Sequence, residues 1–161
     1  MALARSALRL FASRTAVRTQ VRTYADANQM SFTFAAQHRF VLYNNASIKQ
    51  VDVPSFSGSF GILPAHVPTL AVLKPGVVTV FENDGSNKKF FVSSGTVTIN
   101  EDSSVQILAE EAVPVDQLDV SAARDLLNKA QADLASASTD LAKAEAQISI
   151  EVSEALVKAC E

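Results

Sequence analysis

Few residues in this chain have types that could carry chemistry. They are His38 and His66, the lone Cys160, the serine pair Ser93-Ser94 before Gly95, the carboxylates Glu110-Glu111 and Asp116 with Asp119, and Gly58 with Gly61. The histidines are far apart and have no Cys or Asp at metal-ligand spacing. His66 lies between Pro64 and Pro68 on a constrained loop, either as a polar group bonded to backbone or as a contact residue at an interface. As a general base it lacks a neighbouring nucleophile. Ser93-Ser94-Gly95 falls within an alternating strand pattern, without the strand-turn-helix setting of a nucleophile elbow. Gly58 and Gly61 are followed by Pro64 instead of a helix start, which reads as a turn, and no Gly-x-x-x-x-Gly-Lys phosphate loop occurs. The carboxylates stand where the chain changes character and read as solvated linker charges. Cys160 has no second cysteine to pair with and reads as a reduced thiol. No cofactor or metal is expected, and by elimination the chain reads as a binding or mechanical part and not an enzyme.

The elements that hold these residues are of two kinds. All five glycines and all five prolines lie between Pro54 and Pro114. There the apolar pattern has a period of two: Phe32/Phe34, Val51/Val53, Val78/Val80, Phe90/Val92, Val97/Ile99 and Val105/Ile107. Such alternation suits half-buried strands. Asn83-Asp84-Gly85-Ser86 is a hairpin signal, and Pro75-Gly76 suits the centre of a type II turn. Many short strands between turns imply an antiparallel sandwich or flattened barrel from about residue 31 to 111.

After Pro114 the period becomes helical. Asp119 or Ser121 can cap a first helix, with Leu127, Ala130 and Leu134 on one face. The run 135–139 breaks it, and Ser138 or Thr139 can cap a second helix with the stripe Leu141, Ala144, Ile148, Val152, Ala155 and Ala159. Leu127, Leu134, Leu141 and Ile148 are thus expected to pack an antiparallel helical hairpin. The fold class is α+β: an N-terminal antiparallel β-sandwich followed by a C-terminal α-helical hairpin.

The net charge of −3 hides two opposed populations. Residues 1–23 carry Arg5, Arg9, Arg14, Arg18 and Arg22 with no acid, leaving nine Lys and Arg against seventeen Asp and Glu in the remainder, a charge of −8. An Arg-rich, acid-free, amphipathic start has the composition of a mitochondrial transit peptide. Arg22-Thr23-Tyr24-Ala25 resembles the sites cut by the matrix processing peptidase, with an arginine three places before a cut at Ala25. The expected organisation is a transit peptide over residues 1–24, a sandwich over 25–112 and a hairpin over 113–161. The acidic body is a poor partner for nucleic acid. Two readings stay open on these grounds: a structural part of an assembly, or a free-standing matrix module that binds a small molecule or shields a client protein.

The string Gly58-Ser59-Phe60-Gly61-Ile62-Leu63-Pro64-Ala65-His66-Val67-Pro68-Thr69-Leu70, followed by Leu73-Lys74-Pro75-Gly76, resembles the signature loop of the delta subunits of mitochondrial ATP synthase, counterparts of the bacterial epsilon subunit. Phe91-Val92-Ser93-Ser94-Gly95, Leu118-Asp119 and Glu154-Ala155-Leu156-Val157-Lys158-Ala159 resemble the same family. The resemblance implies a non-catalytic central-stalk subunit, peripheral to the matrix side of the mitochondrial inner membrane. Its sandwich would sit against the gamma subunit and the ring of c subunits, and its hairpin would lie beside the stalk with the small mitochondrial epsilon subunit. Such a subunit transmits proton-driven rotation for ATP synthesis. The resemblance further implies that Gly61, Ile62, Leu63, Pro64, His66 and Pro68 form the contact with the rotor ring or gamma. Bacterial relatives that bind ATP show Leu-Asp or Ile-Asp, two residues, then Arg-Ala. Here Ala122 and Ala123 follow those two residues and Arg124 comes two places late, so ATP binding on the hairpin is not expected.

Overall fold

A computed structural model of the chain describes residues 29–37 and 41–160. Nine strands form one sheet that folds over into a flattened barrel: β1 (Met30–Ala36), β2 (Tyr43–Ser55), β3 (Gly58–Ile62), β4 (Thr69–Leu73), β5 (Gly76–Glu82), β6 (Asn87–Val92), β7 (Gly95–Ile99), β8 (Ser104–Ala109) and β9 (Ala112–Pro114). The order is β1-β8-β7-β4-β2-β5-β6-β9, β3 pairs with β2, and a further β1–β2 pairing closes the circuit. Every alternating pair named above points inward. Phe32, Phe34, Val51, Val53, Val78, Val80, Phe90, Val92, Val97, Ile99, Val105 and Ile107 are all buried in one core. Phe34 and Phe90 meet edge to face at 5.6 Å, joining β1 to β6 across that core.

Alternation does not encode strand direction, and here the structure departs from an all-antiparallel sheet: β1 runs parallel to β8 along Ser31–Ser104 to Ala36–Ala109. The turns also differ in part. The β5–β6 hairpin turns at Gly85, with φ of 89°, and Gly85 N donates to the Glu82 carbonyl. Gly76, in contrast, is absent from the left-handed glycines and opens β5, so no type II turn forms at Pro75-Gly76. Its lack of a Cβ instead admits the Pro54 ring, whose Cβ would lie 3.0 Å away. The Gly58 to Gly61 spacing is likewise a strand, β3, and not a turn. Ser93 and Ser94 stand between β6 and β7 and are fastened to the carboxylate pair: Glu111 N donates to Ser93 Oγ, and Ser94 Oγ donates to Glu110.

Tyr43 on β2 reaches Glu82 on β5 at 2.9 Å, and Lys88 pairs with the same carboxylate at 2.8 Å. Lys88 and the Tyr43 hydroxyl hold the Glu82 carboxyl below its usual range. Burial, then the Glu82 carboxylate, pushes the Tyr43 phenol well above its usual range. A raised folded pKa stabilises the fold below the unfolded value of about 10 and is lost as pH rises through the folded value. In a Tyr24→Phe chain, phenolate absorbance should therefore stay flat as pH passes ~10; an ordinary tyrosine titration there would contradict the Tyr43–Glu82 contact.

Two helices follow a short 3-10 turn at Val115–Gln117: α1 (Val120–Ser136) and α2 (Asp140–Cys160). Asp119 caps α1, its carboxylate accepting from Ser121 N and Ala122 N. Thr139 caps α2 through Ala142 N at 3.2 Å. On α1, Leu127 and Leu134 are half-buried on the stripe of the buried Ala123 and Ala130. On α2 the seam is not the expected one. Leu141 is 71% and Ile148 62% exposed, while Ala146 and Ser153 are buried.

The reason is geometric. α2 carries two apolar stripes, and small residues at the seam let helix axes approach more closely. Ser153 can be buried because its hydroxyl donates to the Ser149 carbonyl one turn back at 2.7 Å. Leu134→Asp should then cost about 2 kcal/mol of hairpin stability, whereas Leu141→Asp should stay within about 0.5 kcal/mol. Thermal melts of the two variants check the assignment, and equal losses would contradict it.

Candidate functional surface

The sheet has two outer faces, and among the described residues only one is covered. The hairpin docks through α2 on the β5 side, where Glu151, Ala155 and Lys158 line a groove with Pro54, Gly76 and Val77. Val77 is in register with Phe91 and Phe91 with Val113. Phe91 is buried but stands outside the sandwich core cluster, as expected of a side chain on the hairpin side.

No described element packs on the opposite face, made by β4, β7, β8 and β1. Strand register lays two rows across it. One is Leu70–Thr98–Gln106–Thr33 and the other Val72–Thr96–Leu108–Ala35. Residues in register share a face of the sheet, so these rows form one surface, and neither contains a charge. Leu70 is 74%, Val72 53% and Leu108 60% exposed. Phe56, also exposed, adjoins one end of this surface through its backbone bond to the Val72 carbonyl. Leu70, Val72 and Leu108 thus stand as exposed apolar side chains among uncharged polar ones, a pattern compatible with a contact surface.

At the other end β4 is preceded by residues 63–68, which carry exposed Leu63 and Val67. His66 sits here with its ring 6.1 Å from that of Phe60, and its Nδ1 donates to the Val67 carbonyl at 2.8 Å. The ring of His66 is thus bonded to its own loop, and no group of three or more metal-ligating side chains occurs among the described residues.

Of the six residues expected at the contact, Leu63, Pro64, His66 and Pro68 lie in this loop and Gly61 is exposed on β3. Ile62 is a correction. It is fully buried, in register with Val51, and belongs to the core because the β3 alternation turns it inward. Arg124 is exposed on α1 and Asp119 is engaged as a helix cap. The processing residues Arg22, Tyr24 and Ala25, and also His38, lie outside the described residues.

Leu70, Val72 and Leu108 were not singled out by sequence reasoning. A signal for them existed, since Lys74 is the only charged residue between Asp52 and Glu82. The Val105/Ile107 alternation already turns Leu108 outward, whereas the outward phase of β4 became readable only from its pairing with β7.

Comparison with known proteins agrees with this architecture in both halves. The family model of the beta-sandwich domain of the ATP synthase delta/epsilon chain matches residues 29–115. That of the C-terminal domain of the metazoan delta subunit of F1F0-ATP synthase matches residues 118–159. The mitochondrial ATP synthase subunit delta of Caenorhabditis elegans is 50% identical over 84% of this chain and 82% of its own length. That of Yarrowia lipolytica is 40% identical over 96% and 95%. Among solved structures, a chain of the Euglena gracilis mitochondrial ATP synthase, in an assembly described as OSCP/F1/c-ring, superposes with a TM-score of 0.77 at 24% identity, covering 83% of this chain and 82% of that one. That likeness establishes the fold. Matched in both halves by these models, and half identical to one such subunit across most of its length, the chain belongs to the delta subunits of mitochondrial ATP synthase.

Proposed function

We propose that this chain is a non-catalytic rotor component of the mitochondrial enzyme, carried in the central stalk on the matrix side of the inner membrane. In this reading the uncharged face of β4, β7, β8 and β1 seats the gamma subunit. Residues 61–68, without the buried Ile62, meet the ring of c subunits. The exposed stripe of Leu141 and Ile148 on α2 lies toward the stalk and the small epsilon subunit. The observation that carries the reading is the continuity of the two uncharged rows with the exposed Leu63 and Val67 at the end of the sheet. Solved relatives come from assemblies described as OSCP/F1/c-ring and as central stalk/c-ring, which supports these partners.

The physical task is to carry torque from ring to gamma without storing it as deformation. A sheet closed by the β1–β2 pairing has fewer free edges to splay. Its core of interdigitated aromatic and β-branched side chains compresses little. No helix among the described residues is long and apolar enough to cross a membrane. In this reading other subunits hold the chain at the bilayer. Residues 1–24 serve as a transit peptide, removed before Ala25 and leaving an acidic working subunit.

Affinity isolation of the tagged chain from detergent-solubilised mitochondria should recover the gamma and c subunits with it. Recovery as a lone monomer would overturn the rotor reading and favour a free-standing matrix module. Sequencing the amino terminus of the recovered chain should begin near Ala25, and an intact Met1 would contradict processing.

A further inference from the structure

Among the described residues, three other than glycine adopt left-handed backbone conformations: Asn45 with φ of 50°, Ala65 with φ of 61° and Ser103 with φ of 64°. They come from three separate connections, yet one chain of hydrogen bonds joins them. Ala65 N, in the 63–68 loop, donates to Ser103 Oγ at 3.0 Å. The Ser103 carbonyl accepts from Ser31 N, at the start of β1, at 3.3 Å. The Ser31 hydroxyl donates to Asn45 Oδ1, and Asn45 N donates to Thr33 Oγ1 at 3.3 Å. Single residues in this conformation carry a cost and persist where their surroundings hold them there, and such residues gather at functional sites.

We infer that Ser103 is the positioning residue of the 63–68 contact loop: its hydroxyl fixes the strained turn at Ala65, and its carbonyl ties that turn to the first strand of the sandwich. The other hydrogen bonds described for the loop are local. His66 N donates to the Leu63 carbonyl, the His66 ring to the Val67 carbonyl, and Thr69 Oγ1 to the same carbonyl. They shape the loop but do not fix it to the barrel. The Phe60–His66 ring contact holds its middle to β3. Ser103 reaches it from the β7–β8 turn. That turn is itself well braced, since Ser103 N donates to the Asn100 carbonyl and Asn100 N to the Ser104 carbonyl. Asp102 accepts from Ser104 N and Oγ. A rigid turn holding a strained loop gives the contact surface one shape before any partner arrives, which reduces the ordering cost of binding.

The inference rests on the loop being a contact element, and the test separates the two ideas. Ser103→Gly removes the hydroxyl and relieves the left-handed backbone, whereas Ser103→Ala removes the hydroxyl and keeps the strain. In the whole chain, residue-resolved hydrogen exchange should show the Ala65 amide exchanging about two- to tenfold faster in both variants. The core amides of Val78 and Val92 should be unchanged, and the Gly variant should melt no lower than the parent. Unchanged exchange at Ala65 in both variants, or acceleration shared with Val78 and Val92, would overturn the role of Ser103. In reconstitution with gamma and the c-ring, Ser103→Gly should weaken association by a similar factor. Undiminished association would also overturn it. Failure of the unaltered chain to associate would instead overturn the contact reading, with the exchange result standing by itself.

Discussion

Gly95→Ala is expected to destabilise the sandwich by about 3 kcal/mol, the upper end of the range for overpacking. Gly95 opens β7 and is in register with Leu73 on one side and Ala109 on the other. A Cβ there would lie 2.2 Å from the Leu108 carbonyl oxygen and 2.8 Å from the Ala109 Cα. Both are backbone atoms of β8, so no side chain can rotate away, and the β7–β8 ladder itself must open. For a domain this size the loss lowers the melting temperature by roughly 15 °C. Gly61→Ala is the control. Its added Cβ would meet Asp52 Oδ1 at 2.8 Å, but that atom is the end of a part-buried side chain that can swing aside. The control should cost less than about 1 kcal/mol. Similar melting temperatures for the two variants would show that the Gly95 contact is not the tight point of the sheet.

The second large effect concerns assembly and leaves the fold alone. Leu108 is exposed, so Leu108→Asp should alter the stability of the isolated chain by no more than about 0.5 kcal/mol. In the assembled stalk the same carboxylate would be buried among Val72, Thr96 and Ala35 and the partner's apolar surface, with no cation in either row to pair it. An uncompensated buried charge costs about 3 kcal/mol, roughly a hundredfold in affinity. Titrating the variant against the gamma subunit, alongside a thermal melt, reads both quantities. An unchanged affinity would mean that this face is not the gamma seat. A large fall in melting temperature would mean that Leu108 is part of the fold.

Much of this fold was legible because the sandwich obeys a simple alternation. Phe32, Phe34, Val51, Val53 and the later pairs each needed only a period of two to be placed on the core. What alternation lacks is direction and neighbour, so the parallel β1–β8 pairing was invisible, and with it the two uncharged rows that need β1, β8, β7 and β4 side by side. Ile62 shows the cost of reading a motif as one unit. The resemblance groups it with Leu63, while the strand period turns the two in opposite directions.

The hairpin failed in a different way. Leu141 and Ile148 are the largest residues of their stripe and invite a core assignment, but the seam is built on Ala146 and Ser153. In a two-helix unit the small residues permit contact, and the large ones remain for another partner. The link between Ala65 and Ser103 was beyond sequence altogether, because it depends on two left-handed residues in distant turns meeting at one end of the barrel.

As a rotor part this chain turns with gamma, and locking the two together reads whether it does. In a Cys160→Ser background, a disulfide between Leu108→Cys and a cysteine introduced on the facing surface of gamma should form on oxidation. If the two parts rotate as one body, the lock leaves their relative position unchanged, and proton-driven ATP synthesis should continue at nearly the unlocked rate. Loss of synthesis on oxidation, restored by a reductant, would show that the chain and gamma move against each other and would contradict the rotor account.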